Sequence, residues 1–371
     1  MKIPFVDLKS QYLTIKSDID LAINNVLSET AFIGGKYVNE FEKKFSEIYK
    51  VKNVISCANG TDSLYIILKM LGIGNGDEVI TVSNSWISSS ETISQTGAKV
   101  KFVDIDQEYY TIDENKIELA INSKTKALVI VHLYGQMCNV SKIKEICDRF
   151  NIYLIEDCAQ SHFSSFDNTL AGLTGIAGSF SFYPGKNLGA YGDAGCIITN
   201  DDKFALKCRM YSKHGALIKH QHEMEGINSR LDGIQASILS AKLPYILEWT
   251  NKRIQVASYY NKYLSGHSFI QLPKVRENSI HSFHLYVVRV KFRSELIKFL
   301  IENEIETSIH YPTPLPYMNA YKHLGYKESD FPNLNLIKDE ILSLPIYPEL
   351  NEEMVKYVCE KIIHFYKINK V

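Results

Sequence analysis

Three short stretches carry residues whose types and spacing suit chemistry. The first, SFSFYPGKNLGAYGDAG (residues 179–195), sets Lys186 among glycines just after an apolar run. Most lysines sit on solvated surfaces where nothing constrains their neighbours. A lysine beside glycines at a strand end is a candidate nucleophile, because a buried amine loses its proton readily and condenses with aldehydes. A surface lysine in a glycine-rich turn is the plainer explanation for that stretch alone. The second, SCANGTDSL (56–64), turns a strand through Asn59-Gly60 into a helix near Thr61. Glycine permits close approach, and the helix start offers free N–H groups to an anion. The third, YLIEDCAQSH (153–162), ends an apolar strand in Glu156 and Asp157. Such a pair is either a cap or a partner for a cation.

These handles must be positioned by alternating strands and helices. Strands are expected at 53–56, 78–82, 99–105, 126–133, 152–157, 179–183 and 195–200, with helical periods between most of them. Gly72 closes the helix that contains Leu64, Ile67, Leu68 and Leu71. Alternation of this kind implies right-handed crossovers and a largely parallel sheet covered on both faces. Ligands collect at the carboxyl ends of such strands, where all three stretches lie. After about residue 245 the pattern changes to long helical periods around one strand, 282–290, and HYPTPLPY (310–317) is a proline-stiffened loop. The expected division is a large α/β domain at 1–245 and a smaller α+β domain at 246–371.

Bulk properties narrow the function. The chain has 371 residues, a formal net charge of -1 and 45% hydrophobic residues, enough for a substantial core. A nearly neutral chain is a poor general binder of nucleic acid. No apolar stretch is long enough to span a membrane, and MKIPFVDLKSQYL has no signal-peptide pattern. Seven cysteines without a C-x-x-C fit free thiols in a reducing cytoplasm. HQH at 220–222 lacks partners at ligand spacing, so no metal is expected and the stretch reads as a solvated loop.

An anion cradle, a strand-end aspartate and a glycine-flanked lysine, in that order on one sheet, are the three handles that pyridoxal 5′-phosphate requires. With ANGTDSL, EDCAQSH and GINSRLDGIQASIL, the opening stretch resembles the DegT/DnrJ/EryC1/StrS family of nucleotide-sugar aminotransferases, and the likeness runs from IPFVDLKSQY to the terminal helix. The resemblance implies a fold type I enzyme of the α/β class, with a mostly parallel seven-stranded sheet. It implies pyridoxal 5′-phosphate as cofactor, with pyridoxamine 5′-phosphate as its aminated form, and Lys186 as the lysine that condenses with it and shuttles protons. Asp157 would pair with the ring nitrogen, Gln160 would contact the ring oxygen, and Trp86 would stack on the ring unless it is a core residue. Gly60, Thr61 and Ser181 would hold the phosphate.

Asn228 would reach the cofactor of a neighbouring subunit, as expected for a homodimer with shared active sites. Arg230 would be a structural ion pair or a holder of the donor carboxylate. Retention of Lys186, where a dehydrating branch of the family has histidine, favours transamination. The donor implied is L-glutamate, leaving 2-oxoglutarate. FYPGKNLGA and VHLYGQ resemble the branch acting on dTDP-3-keto-6-deoxyhexoses, with 4-keto sugars as the alternative. Tyr183, Lys219, His310 and Tyr311 are the implied substrate contacts, although His310 would serve equally as a loop histidine bracing the proline turn. Phe163-Ser164 and Pro316-Tyr317 depart from the family pattern and are expected near the sugar pocket.

Overall fold

The computed structural model describes residues 1–369. Seven strands build the main sheet: β1 (Asn53–Cys57), β2 (Glu78–Val82), β3 (Lys99–Val103), β4 (Thr125–Val131), β5 (Tyr153–Asp157), β6 (Ala177–Ser181) and β7 (Gly195–Thr199). Their spatial order is β1-β7-β6-β5-β4-β2-β3. The pairs β6/β5, β5/β4, β4/β2 and β2/β3 are parallel, while β7 runs antiparallel to both of its neighbours. Successive strand residues face opposite sides. Consecutive buried residues along β1, β2, β5 and β7 therefore mean that both faces are covered.

The helices used below are α1 (Gly35–Tyr49), α2 (Gly60–Met70), α3 (Ser88–Gln95), α4 (Val140–Phe150), α5 (Gly233–Lys242), α6 (Ile246–Leu264), α7 (Arg293–Glu302) and α8 (Glu352–Ile368). α2, α3 and α4 are the crossovers after β1, β2 and β4. α1 places Phe41, Phe45 and Tyr49 against Phe163, Phe180 and Phe182, an aromatic cluster beneath β6. A second core gathers α6, α7 and α8 around a three-stranded antiparallel sheet of β8 (Ile270–Gln271), β9 (Tyr286–Val290) and β10 (Ile341–Leu344). Ile3 joins this second core by pairing with Ile305. Leu315, Tyr321, Phe331 and Leu334 pack back on the large core.

Two local expectations shift. The strand expected at 282–290 begins only at Tyr286. Phe283 adopts a positive φ of 44°, and the Ser282 and Leu285 amides instead donate to the Gly135 and Tyr134 carbonyls of the loop after β4. This detour brings His284 to the main sheet's carboxyl edge. HQH belongs to an exposed two-stranded ribbon, 216–218 against 221–222, rather than to an irregular loop.

The adjacent acids ending β5 take opposite faces, as a period of two requires. Glu156 accepts the N–H groups of Gly172, Thr174 and Gly175 at 2.9, 2.7 and 2.7 Å, and His132 Nε2 lies 2.8 Å away. His132 Nδ1 accepts the Cys138 amide, so its single proton sits on Nε2 and points at Glu156. Burial alone would raise the Glu156 pKa, but these donors hold it below the ordinary value. Its charge therefore stabilises the fold at neutral pH, and that contribution is lost as pH falls through the folded-state value. Glu156→Gln should lower stability by about 3 kcal/mol, because an amide cannot accept all four donors. Urea unfolding reads this as a lower midpoint at unchanged slope, and a midpoint within error of wild type would contradict the assignment.

Candidate active site

The carboxyl ends of β1, β5 and β6 converge on one cavity of about 620 Å³. Asn59 caps α2 by accepting the Asp62 N–H at 2.8 Å. Among the described residues the N–H groups of Gly60 and Thr61 have no acceptor, as expected at a helix start. A Cβ on Gly60 would stand 2.6 Å from the Ser181 Cβ, so only glycine lets the turn close against β6. Gly195 does the same from the other side. It pairs with both Cys57 and Ser181, and a Cβ there would stand 2.4 Å from the Asn59 carbonyl. The Thr61 hydroxyl lies 2.7 Å from that of Ser88, and both residues line the cavity with Ser181. Free amides, hydroxyls and the positive end of an eleven-residue helix make an anion cradle.

Asp157 leaves the end of β5 on the cavity side, 7% exposed. Its Oδ1 accepts the Ala159 N–H at 3.0 Å. Burial raises its pKa despite that bond and the opposing Lys186 charge, so a further cation against it would be welcome. Gln160 is fixed at both ends, accepting from Tyr134 N at 2.7 Å and donating to the Tyr311 hydroxyl at 2.8 Å.

Lys186 sits on a loop that leaves and rejoins an antiparallel hairpin. The Phe182 amide donates to Ala194 O and the Ala190 amide to Phe182 O, both at 2.8 Å. Buried Asn187 donates to Ser282 O, and the buried Lys242 ammonium donates to Gly189 O. Burial pushes the Lys186 pKa down to about 8, with the Asp157 charge opposing it. Such an amine is partly unprotonated at neutral pH and is ready to act as a nucleophile or base.

Ten of the thirteen residues singled out from the sequence line this cavity: Lys186, Gly60, Thr61, Trp86, Asp157, Gln160, Ser181, Tyr183, His310 and Tyr311. Trp86 is 60% exposed at its rim, with its ring 5.9 Å from that of Tyr311, so it is not a core tryptophan. His310 stacks on Phe5, and its Nδ1 lies 2.8 Å from the Ser343 hydroxyl. Lys219, Asn228 and Arg230 are exposed and do not line it. Asn228 pairs with Lys213, and Ser229 beside it accepts the Ala58 N–H behind the anion cradle.

The four departures from the family pattern are also absent from the lining. Phe163 instead packs on Tyr49 with ring centroids 4.9 Å apart, and Ser164 hydrogen-bonds to Gly135 O and Ser282. Pro316 is buried beneath its loop, and Tyr317 reaches Asn335. Sequence reading missed Arg253 and His284, both on the lining. Arg253 had a signal, since it falls four residues after Trp249 on the apolar stripe of α6.

An anion cradle, a buried lysine and a strand-end carboxylate in one cavity fit a phosphate, an aldehyde and a protonated ring nitrogen. On this sheet they define a pyridoxal-phosphate-dependent enzyme of the α/β class. The comparisons give the family. Residues 13–363 match the model of the DegT/DnrJ/EryC1/StrS aminotransferase family, and the chain belongs to it. Members of this family depend on pyridoxal 5′-phosphate, and this protein is an aminotransferase of nucleotide-sugar metabolism.

It is 42% identical over 369 residues to the pleiotropic regulatory protein of Geobacillus stearothermophilus, covering 99% of each chain. It is 42% identical over 360 residues to the dTDP-3-amino-3,6-dideoxy-alpha-D-galactopyranose transaminase of Aneurinibacillus thermoaerophilus, covering 97% of this chain and 98% of that one. The crystal structure of S. venezuelae DesV in complex with a ketimine intermediate superposes with a TM-score of 0.96, at 34% identity and 98% coverage of both chains. No helix among the described residues is long and apolar enough to cross a membrane.

The depressed Lys186 pKa has a direct readout. In protein freed of cofactor, labelling of Lys186 by a small amine-reactive reagent should rise with pH around a midpoint near 8. Asp157→Asn should move that midpoint lower, because the carboxylate is what favours the protonated amine. Peptide mass spectrometry follows the label, and a midpoint near the ordinary 10.5 would refute the buried-amine assignment.

Proposed function

We propose that this protein transfers the amino group of L-glutamate to C3 of a dTDP-linked 3-keto-6-deoxyhexose. The product is a dTDP-3-amino-3,6-dideoxyhexose for a surface glycan. The observation that carries the reading is the buried Lys186 amine, near pKa 8, facing the same cavity as Asp157 and the α2 cradle. The choice of sugar is supported by the Aneurinibacillus relative, whose name specifies a 3-amino-3,6-dideoxy sugar and whose likeness covers 97% of this chain.

In this reading Gly60, Thr61 and Ser181 hold the cofactor phosphate through N–H and hydroxyl donors. Asp157 keeps a proton on the ring nitrogen, Gln160 faces the ring oxygen, and Trp86 covers the exposed ring face. When bound, the cofactor supplies a ring that accepts the electron pair left when a proton leaves the substrate carbon. Lys186 Nζ takes that proton from the carbon bearing the amine and returns it one position away. Glutamate is consumed in the first half-reaction and the keto-sugar is aminated in the second. Tyr183, His310 and Tyr311 line the space that the sugar enters.

NMR of products formed with glutamate and each dTDP-keto-sugar should show a new amine at C3. Amination at C4 alone would overturn the substrate assignment and select a perosamine- or bacillosamine-type enzyme. The Geobacillus relative's name favours a second reading, a cofactor-binding regulator without turnover. Its expected outcome in the same assay is a bound cofactor and no aminated sugar, and Lys186 and Asp157 would then serve binding alone.

The reading includes a homodimer whose partner contributes Lys219, Asn228 and Arg230. Its support is the exposed position of all three and the exposed Phe32, Ile33, Leu217 and Ile218 flanking them. Lys186→Ala and the double variant Asn228→Ala/Arg230→Ala should each be nearly inactive. Refolded together they should recover up to about one quarter of wild-type activity, because half the dimers then hold one intact site. Recovery of nothing from correctly folded mixed dimers would confine each site to one chain.

A further inference from the structure

His284 lies on the cavity lining, and no step above uses it. Its ring is half-buried, and its backbone is fixed from several sides. Ser282 and Leu285 on either side donate their amides to Gly135 O and Tyr134 O, each at 3.1 Å. A Cβ at Gly135 would stand 2.9 Å from the Phe283 nitrogen and 3.1 Å from that of His284, so glycine lets the segment approach. Ser164 Oγ lies 2.8 Å from both Gly135 O and Ser282 Oγ. Arg253 Nη1 donates to Ile346 O at 3.0 Å and Phe283 O at 3.2 Å, with His284 O at 3.5 Å. Ser164, a departure from the family pattern, thus reaches the cavity indirectly, by helping to place this histidine.

Hydrogen-bond polarity then fixes the ring. The Ser282 carbonyl only accepts, so the end of Asn187 that faces it at 3.1 Å is Nδ2. Asn187 therefore turns Oδ1 to His284 Nδ1, 3.1 Å away. An amide oxygen also only accepts, so Nδ1 carries the proton. Burial keeps the ring neutral, and the Lys186, Arg253, His310 and His162 charges all oppose a charge on it. Nε2 is left with a lone pair. Among the described residues it makes no hydrogen bond, yet it is not an enclosed atom without a partner, so it keeps accessible surface on the cavity wall.

We propose that His284 Nε2 accepts a hydrogen bond from the keto-sugar, from a hydroxyl beside its carbonyl carbon. This rests on the aminotransferase reading and makes His284 a specificity residue of the second half-reaction. A lone pair repels a carboxylate or a diphosphate, so the group it takes is a donor. Glutamate has no hydroxyl, and its amine is the group that reacts. A 3-keto-6-deoxyhexose has hydroxyls at C2 and C4, next to the carbon that must be held at Lys186. Other acceptors here are committed: Gln160 Oε1 to the Tyr134 amide, and Asp157 to the ring nitrogen in the reading above. His310, the other imidazole on the lining, faces the Ser343 hydroxyl, which donates or accepts and so imposes no single polarity.

The test uses holoenzyme, with the cofactor's absorbance band confirming loading. His284→Phe keeps a planar ring and removes the acceptor, and His284→Gln restores an accepting oxygen. For His284→Phe, kcat/KM for the keto-sugar should fall roughly 10- to 100-fold while the half-reaction with glutamate stays within about 3-fold. His284→Gln should fall between. A keto-sugar lacking the hydroxyl that His284 reads, at C2 or at C4, should react equally with wild type and His284→Phe. NMR of protein carrying isotope-labelled histidine, with His284 assigned by its loss in His284→Gln, should show a proton on Nδ1 and none on Nε2 at neutral pH.

Equal losses in both half-reactions at full loading would make His284 a structural residue and overturn the proposal. A full loss retained on both the C2-deoxy and the C4-deoxy sugar would overturn it, as would a proton on Nε2. If wild type aminates no keto-sugar, the aminotransferase reading fails first. Calorimetry with dTDP-glucose then decides. Weaker binding by His284→Phe than by wild type would support the hydroxyl contact, and unchanged or absent binding would overturn it.

Discussion

The cavity depends on holding an amine where its proton is costly. Lys186 has that property because its loop is fixed on every side rather than because of its own side chain. The hairpin between β6 and β7 anchors the loop ends, Asn187 ties it to Ser282, and Lys242 ties it to Gly189. A Cβ at Gly189 would stand 2.3 Å from Pro184 O, so the loop folds back on itself at a point only glycine permits. Lys242 is itself buried and pushed down to about 8, a second desolvated cation that braces this loop through Gly189 O while also meeting Gln11 and the Tyr191 ring. The chain thus pays twice in desolvation to place one reactive amine.

The end of β5 shows how little sequence is needed to divide structural and chemical work. Glu156 and Asp157 are adjacent, equally acidic and both buried. The period of the strand sends them to opposite faces, and their surroundings do the rest. Glu156 meets three amides and a histidine and is held ionised as a structural acceptor. Asp157 meets one amide and a cavity, so its charge remains available to whatever binds there. Exchanging the two residues by a one-residue register shift would put the saturated carboxylate in the cavity and strand the other in the core.

The main sheet was legible because its signals are local: short apolar runs, a helical period after most of them, and glycines where a turn must approach closely. Lys186, Asp157 and Gly60-Thr61 were legible for the same reason, each being a strand end followed by a marked turn. What escaped was set by contacts distant in sequence. Ser282–Leu285 looked like strand because it is apolar and aromatic, yet the loop after β4 captures its amides and diverts His284 to the cavity. Phe163 and Ser164 looked like pocket residues because they follow EDCAQSH, but a positive φ of 59° at Phe163 turns its ring into the α1 aromatic cluster. Arg253 was masked by the apolar stripe around it.

The two kinds of residue also differ in where they can vary. Lys186, Asp157, Gly60 and Arg253 are held by backbone contacts from several elements, so changing one disturbs packing as well as chemistry. Lys219, Asn228 and Arg230 lie on an exposed ribbon and the segment behind it, joined to the body through Lys213, Ser229 and the pairing of Asp232 with Ile33. Surface substitutions away from such anchors usually cost little stability. On the reading proposed above, the amine chemistry is therefore tied to the core, while recognition of the sugar nucleotide rests partly on a ribbon free to change. That separation lets the recognition surface change on this fold without disturbing the lysine, the aspartate and the anion cradle.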